Sequence, residues 1–467
     1  MLFSSITFLY VFLPVVLLLY FAVPKAAKNY VLLISSIIFY FFGEPVYVLL
    51  LLLSSASDYL HSLAIEKRRG TKKAKTVLIS SIVINLAMLC FFKYADFIIG
   101  IINTVLSTSI PLINVPLPIG ISFFTFQTMS YTIDVYRGRV HAEKNIATLA
   151  TFVCLFPQLI AGPIVRYTDV AAELKNRRST LDGIADGIRR FVFGLGKKVL
   201  IANAMGELCA IFRDSQDKSV LFFWVYAVAF MLQIYFDFSG YSDMAIGLGR
   251  IFGFSFPENF DYPYMARSIS EFWRRWHMTL GGWFRDYVYI PLGGNRVSTA
   301  KWVRNIFVVW LLTGLWHGAS WNFVMWGLMF GILLMIEKLW LGKALERCGE
   351  VIRHIYVLLL LALSFVVFNA DGLGGAISDV GGLFGAGGLP AVSFETLYFL
   401  RSYAVLLVLA LIGATPLLKR VVERINASTW GKRFMAVAEP VSIVVLLVLV
   451  TAYLVDGSFN PFLYFRF

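Results

Sequence analysis

The sequence predicts an all-α polytopic membrane protein, and three observations carry that prediction. Hydrophobic residues make up 59% of the 467 and charged ones only 15%, against roughly 25% charged in a soluble chain. The apolar residues gather in about a dozen runs of near-spanning length. The positive charge sits in short clusters between these runs, as the positive-inside rule requires of cytoplasmic loops. A net charge of +13 thus reads as membrane topology. A nucleic-acid interface would instead present a continuous basic stripe.

Taken in order, the candidate spans are residues 5–23, 29–43, 45–64, 76–95, 119–136, 185–212 and 219–237, then 303–316, 320–340, 353–370, 399–418 and 436–455. The first has no basic segment ahead of it and is long enough to span, so it reads as a retained helix rather than a signal peptide. Runs 29–43 and 303–316 are short and need burial among neighbours. Run 185–212 carries Arg189, Arg190, Lys197 and Lys198 and is the weakest span. The cluster Lys67, Arg68, Arg69, Lys72, Lys73 and Lys75 fixes its loop in the cytoplasm. Counting forward puts Arg274, Arg275, Lys419 and Arg420 inside. Loop 371–398, which has no Lys or Arg, falls outside. The chain 1–467 then reads as one integral-membrane domain whose aromatic tail 462–467, FLYFRF, emerges on the outer face.

Two stretches fit no simple span. Segment 146–165 is apolar but broken by Pro157, Gly162 and Pro163, and segment 238–255 is glycine-rich. Both are expected to be re-entrant or interfacial, because broken backbone at membrane depth is tolerated only inside protein or along a wet cavity. An internal funnel or tunnel follows. Cys90, Cys154, Cys209 and Cys348 show no CxxC spacing, so neither a disulfide framework nor a zinc site is expected, and no metal.

Polar residues inside apolar runs carry the chemistry. His61, His141 and His354 read as surface or interfacial. His317 lies between two apolar runs in LLTGLWHGASWNFVMWG, beside Trp316 and Asn322. It is either a hydrogen-bonded packing histidine or a general base for a hydroxyl or thiol. His277 lies in SISEFWRRWHMTLGGWFRDYVYIPLGGNR, which reads as an amphipathic helix along the cytoplasmic interface with Arg274 and Arg275 wet. Asp237, Tyr241 and Asp243 abut membrane depth in QIYFDFSGYSDMAIGLGR. The glycines make a helix break there expected. Its carboxylates are either functional or ion-paired with Arg274 and Arg275 to fix the fold. GLGKK at 194–198 lacks the spacing of a phosphate loop.

These stretches together resemble the membrane-bound O-acyltransferase family, and within it the alginate O-acetyltransferase-like branch. The strings are PIGISFFTFQTMSYTIDVYRG (118–138), FPQLIAGPIVRY (156–167), YFDFSGYSDMAIGLGRIFGF (235–254), FWRRWHMTLGGWFRDYVYIPLGG (272–294) and TGLWHGASWNFVMWG (313–327). The resemblance implies a ring of helices around a cavity joining the two membrane faces. It marks His317 as the family's catalytic histidine and His277 as its second motif histidine. Gln158, Asp237, Tyr241, Asp243, Arg274, Arg275, Trp316 and Asn322 become substrate or tunnel candidates.

In that branch an acetyl group from a cytoplasmic thioester, commonly acetyl-CoA, crosses the bacterial cytoplasmic membrane. An extracytoplasmic SGNH-type partner then places it on an exported polysaccharide or on peptidoglycan. No bound cofactor is implied. A related D-alanyl transfer system has a small partner with a tyrosine-bearing aromatic tail similar to FLYFRF. The expectation is that the tail re-enters the outward funnel, where Phe462, Phe465 and Phe467 bury and Tyr464 presents its phenol to His317 as acyl acceptor. D-alanyl or other acyl transfer to a cell-wall polymer, and a non-catalytic acyl or lipid transporter, are the competing readings.

Overall fold

The computed structural model describes residues 1–457 together with Asn460 and Leu463. Among the described residues every regular element is helical. Each of the twelve expected runs falls on a helix: α1 (Phe8–Ala22), α2 (Lys28–Phe41), α3 (Tyr47–Lys67), α4 (Lys72–Leu106) and α5 (Ile121–Tyr136). The series continues with α6, formed by Leu181–Gly196, the π-helical turn Lys197–Ala202 and Asn203–Asp214, then α7 (Val220–Phe252), α8 (Thr299–His317) and α9 (Trp321–Ile336). It closes with α10 (Glu350–Phe368), α11 (Phe394–Ser402 and Ala404–Gly413, bent by 58°) and α12 (Thr429–Val455). Six of the described helices are long and apolar enough to cross a membrane by themselves, or seven with the bent pair counted as one span.

The chain packs as two compact units, Met1–Phe191 with Ser242–Pro257, and Val192–Tyr241 with Glu258–Phe467. In the first, α3, α4 and α5 pack around a buried carboxylate. Asp58 accepts from Ser81 Oγ at 2.7 Å and from Asn85 Nδ2 at 2.9 Å, and Thr128 Oγ1 donates to Asn85 Oδ1 at 3.2 Å. A buried carboxylate in an apolar bundle demands such donors, and meeting them locks three helices in register. Arg177 does similar work elsewhere in this unit, donating to Tyr20 Oη at 2.9 Å, Phe252 O at 3.1 Å and Asn29 Oδ1 at 2.6 Å.

Segment 146–165 is broken as expected, into short helices Ile146–Cys154 and Phe156–Leu159 followed by extended chain, and it is buried in protein. Gln158 braces the break by donating from Nε2 to Phe152 O at 2.6 Å. Segment 238–255 departs from expectation. Residues 238–252 simply continue α7, 33 residues in all, or about 50 Å of helix. Gly240 is there for close packing and does not break the helix: a Cβ on it would stand 2.7 Å from Gly194 O. So the glycines of GLGKK and of SGYSD meet each other, backbone against backbone.

Candidate active site

The second unit assembles a site from three local devices. The first is the hairpin of α8 and α9. A Cβ on Gly314 would lie 2.4 Å from Phe323 O, and one on Gly327 would lie 2.3 Å from Trp310 O. Two glycines therefore let the helices touch by backbone, which small residues achieve best in a bilayer. This sets His317, the last residue of α8, in a fixed aromatic box. Its ring centroid is 5.0 Å from Trp316, 5.0 Å from Trp326 and 5.3 Å from Phe368, all edge-on, and it is buried. Asn322 holds the box shut. Its Nδ2 donates to Phe368 O and Ala370 O, both at 3.1 Å, tying the end of α10 to the hairpin.

The second device is His277. The amphipathic helix expected around it is two helices, Ile269–Arg275 and Met278–Phe284, with His277 between them at φ 45°. It is buried within the protein. Its Nδ1 lies 3.1 Å from Asn259 Oδ1, which also accepts from the Thr279 amide at 3.3 Å and from Thr279 Oγ1 at 2.8 Å. A backbone amide only donates, so that Asn259 atom is the oxygen and His277 carries its proton on Nδ1. Nε2 is left as a lone-pair acceptor, with no hydrogen-bond partner among the described residues. The two histidines share a neighbour, since Trp316 also meets the His277 ring at 5.8 Å.

Burial pushes the His277 pKa down from 6.5 to about 3. The unfolded chain therefore takes up a proton that the folded chain refuses. Stability owed to the neutral imidazole is whole above the unfolded value and drains away as pH falls toward the folded one. Thermal unfolding in detergent between about pH 7 and pH 4 should show a downward slope that His277→Gln flattens. An unchanged slope in that variant would mean other groups set the acid sensitivity.

The third device is an ion pair under α7. Lys198 Nζ lies 2.6 Å from Asp237 Oδ1, with both side chains buried. The other carboxylate oxygen accepts from the backbone N–H of Leu463 at 3.0 Å, and Asn203 Nδ2 donates to Asn460 Oδ1 at 3.1 Å. Leu463 is itself buried, so the described part of the tail is anchored within this unit. Tyr464, Phe462, Phe465, Arg466 and Phe467 lie outside the described residues. Phe238, next to Asp237, packs on His277 at 4.6 Å, linking the anchor to the imidazole.

Several expectations are corrected here. The arginines 274 and 275 are not the partners of Asp237. Arg275 pairs with Glu271 at 2.9 Å and Asp261 at 3.2 Å, while Asp237 pairs with Lys198. Asp243 belongs to the other unit, where Arg190 pairs with it at 2.9 Å. Gln158 is in that unit as well. Tyr241 is buried one turn beyond Asp237 on α7. Arg274 and Arg285 border a cavity of about 580 Å³ whose remaining wall includes His277, Trp273, Trp310 and Leu334. Among the described residues no group of three or more His, Cys, Asp or Glu is arranged to hold a metal.

Sequence reasoning missed Asn259, Lys198 and Trp326. The signal for Lys198 was present, a lysine inside an apolar run, but four cations shared that run. Trp326 is buried against His317 with an Nε1–H that has no acceptor among the described residues.

The model of the membrane-bound O-acyltransferase family matches residues 78–343, a stretch that takes in both histidines. The chain belongs to the membrane-bound O-acyltransferase family. It is a multi-pass membrane O-acyltransferase. Its relatives include the probable alginate O-acetylase AlgI of Azotobacter vinelandii, 36% identical with both chains covered in full. AlgI of Pseudomonas aeruginosa is 42% identical over 80% of this chain and 73% of its own. The peptidoglycan O-acetyltransferase of Helicobacter pylori is 32% identical over 83% of this chain and 81% of its own.

Proposed function

We propose that this O-acyltransferase moves acetyl from a cytoplasmic thioester, acetyl-CoA, across the bacterial cytoplasmic membrane for O-acetylation of an exported polysaccharide or peptidoglycan. The observation that carries the reading is the anchoring of the chain end at Asp237, one residue from the phenylalanine that packs on His277. Tyr464 follows the anchored Leu463 directly in the chain.

The thioester enters the cavity bordered by Arg274 and Arg285, whose guanidiniums suit the phosphates of the donor. Its acyl arm passes the apolar wall toward His277. His317 takes the phenolic proton as the Tyr464 oxygen attacks the thioester carbonyl carbon, because a free phenol is a weak nucleophile near neutral pH. The Trp326 N–H is a donor at hand for the oxyanion that develops. Collapse of the tetrahedral intermediate breaks the C–S bond, and the thiolate recovers the proton from the His317 imidazolium. His277, neutral with a bare Nε2, serves as a fixed acceptor that orients the donor. The aryl ester on Tyr464 remains activated for transfer to a serine of an extracytoplasmic SGNH-type partner, which passes acetyl to the glycan.

The test is mass spectrometry of the C-terminal peptide after purified protein meets isotope-labelled acetyl-CoA. One acetyl is expected on Tyr464 in the wild type and none in His317→Ala. A wild-type peptide without the adduct, joined to normal glycan acetylation in Tyr464→Phe cells, would remove the relay and leave the tail a structural anchor.

A further inference from the structure

Away from the histidines, two cavities of the second unit are lined in part by the same residue, Met265. One, of about 580 Å³, is lined by Arg267, Arg275, Arg353, Lys419 and Arg420, with Asp261, Glu271 and Glu423 as its carboxylates. Arg267 is taken by Glu350 at 2.6 Å, and Arg275 by Glu271 and Asp261. Arg353, Lys419 and Arg420 have no ion-pair partner among the described residues, and the Arg353 Nε is buried without a hydrogen bond. With Glu350 counted beside Arg267, five cations stand against four carboxylates, so the basic end keeps a net positive charge that falls on the side of Arg353, Lys419 and Arg420. A buried, unsatisfied guanidinium nitrogen beside two free cations is the arrangement a phosphate fills.

The second cavity, of about 400 Å³, is apolar, with Met231, Leu232, Leu358, Ala362 and Leu411 in its wall. The polar groups it contains are occupied elsewhere: Tyr264 Oη donates to Met231 O at 2.5 Å, and His354 Nδ1 donates to Ala266 O at 3.3 Å. The cavities share Met265 and abut where Arg353 meets His354 and Pro416 meets Thr415. Ile355, Leu359 and Leu411 on the apolar rim are exposed. The helix Leu417–Asn426 beside the basic end exposes Leu417, Leu418, Val421 and Val422, the pattern of a helix lying in a membrane interface.

We propose that the two cavities form one binding site for an anionic phospholipid. The phosphate lies among Arg353, Lys419 and Arg420, and one acyl chain follows the groove along α7, α10 and α11. A soluble anion would satisfy the cations but leave the apolar groove and its exposed rim unused. A zwitterionic lipid would fill the groove but leave the cations uncompensated. Charge and apolarity together select the anionic amphiphile, and this site is independent of the acyl-transfer reading.

The full chain in detergent, titrated with phosphatidylglycerol or with phosphatidylcholine of matching chains, gives the test by native mass spectrometry. Phosphatidylglycerol is expected to bind preferentially. Each surface cation removed should weaken it about fivefold, so Lys419→Gln with Arg420→Gln should weaken it roughly twenty-five-fold while phosphatidylcholine is unaffected. Leu359→Trp, filling the groove, should weaken phosphatidylglycerol without touching a charge. Equal binding of the two lipids, unchanged by the double variant, would overturn the proposal. So would glycerol phosphate competing as well as the lipid itself, since the site would then hold a free anion only.

Discussion

On the proposed function, His317→Gln is expected to lower acyl transfer by about 10²–10⁴-fold while the protein still folds and melts near the wild-type temperature. Glutamine keeps most of the volume that Trp316, Trp326 and Phe368 enclose and retains hydrogen-bonding capacity, but it cannot accept and return a proton near neutral pH. The proposed general-base contribution would therefore be removed with little change in packing. Labelled acetyl appearing on the glycan in membrane preparations measures the rate, and a detergent melt reports the fold. Transfer within a few-fold of wild type would return His317 to a packing role and require another base for the transfer.

Lys198→Met should destabilise the protein by about 3–5 kcal/mol, because it leaves the Asp237 carboxylate buried without its cation. The pair lies at 2.6 Å with neither side chain reaching solvent, so water cannot substitute for the lost ammonium. Replacing both residues, Lys198→Met with Asp237→Leu, should recover most of that loss, since apolar substitutes for a buried pair are tolerated. Transfer should not recover with it. The Leu463 amide would have lost its acceptor, and the chain end its anchor. Melting temperature and transfer rate would thus part company in the double variant. Recovery of both would make the pair a purely structural element.

Much of the membrane architecture was legible because it follows from one strong constraint. A helix in lipid must be apolar for about twenty residues, and all twelve runs fall on helices. The interior placement of His317 was legible for the same reason, since an imidazole between apolar runs costs free energy unless protein encloses it, and His317 is buried. The pairing of charges was not. Asp237 had many cations to choose among, and only the close approach of Gly194 to Gly240 brings Lys198 to it. Glycine was ambiguous too: at 240 the same residue that suggests a break instead permits contact, and a single chain's sequence does not show what lies opposite. The role of His277 was hidden because its partner Asn259 is eighteen residues away, across a turn with no periodicity to follow.

The backbone at His277 has a consequence of its own. A left-handed conformation at φ 45° suits glycine or asparagine, and holding another residue there costs about 1–3 kcal/mol. The surrounding packing therefore imposes that geometry, and the imidazole is displayed without freedom to relax. If the donor is oriented there as proposed, rigidity of this kind would leave little reorganisation to perform. On the proposed function it would also set stability and turnover against each other at one position: glycine would ease the backbone there and remove the ring assigned to orient the donor.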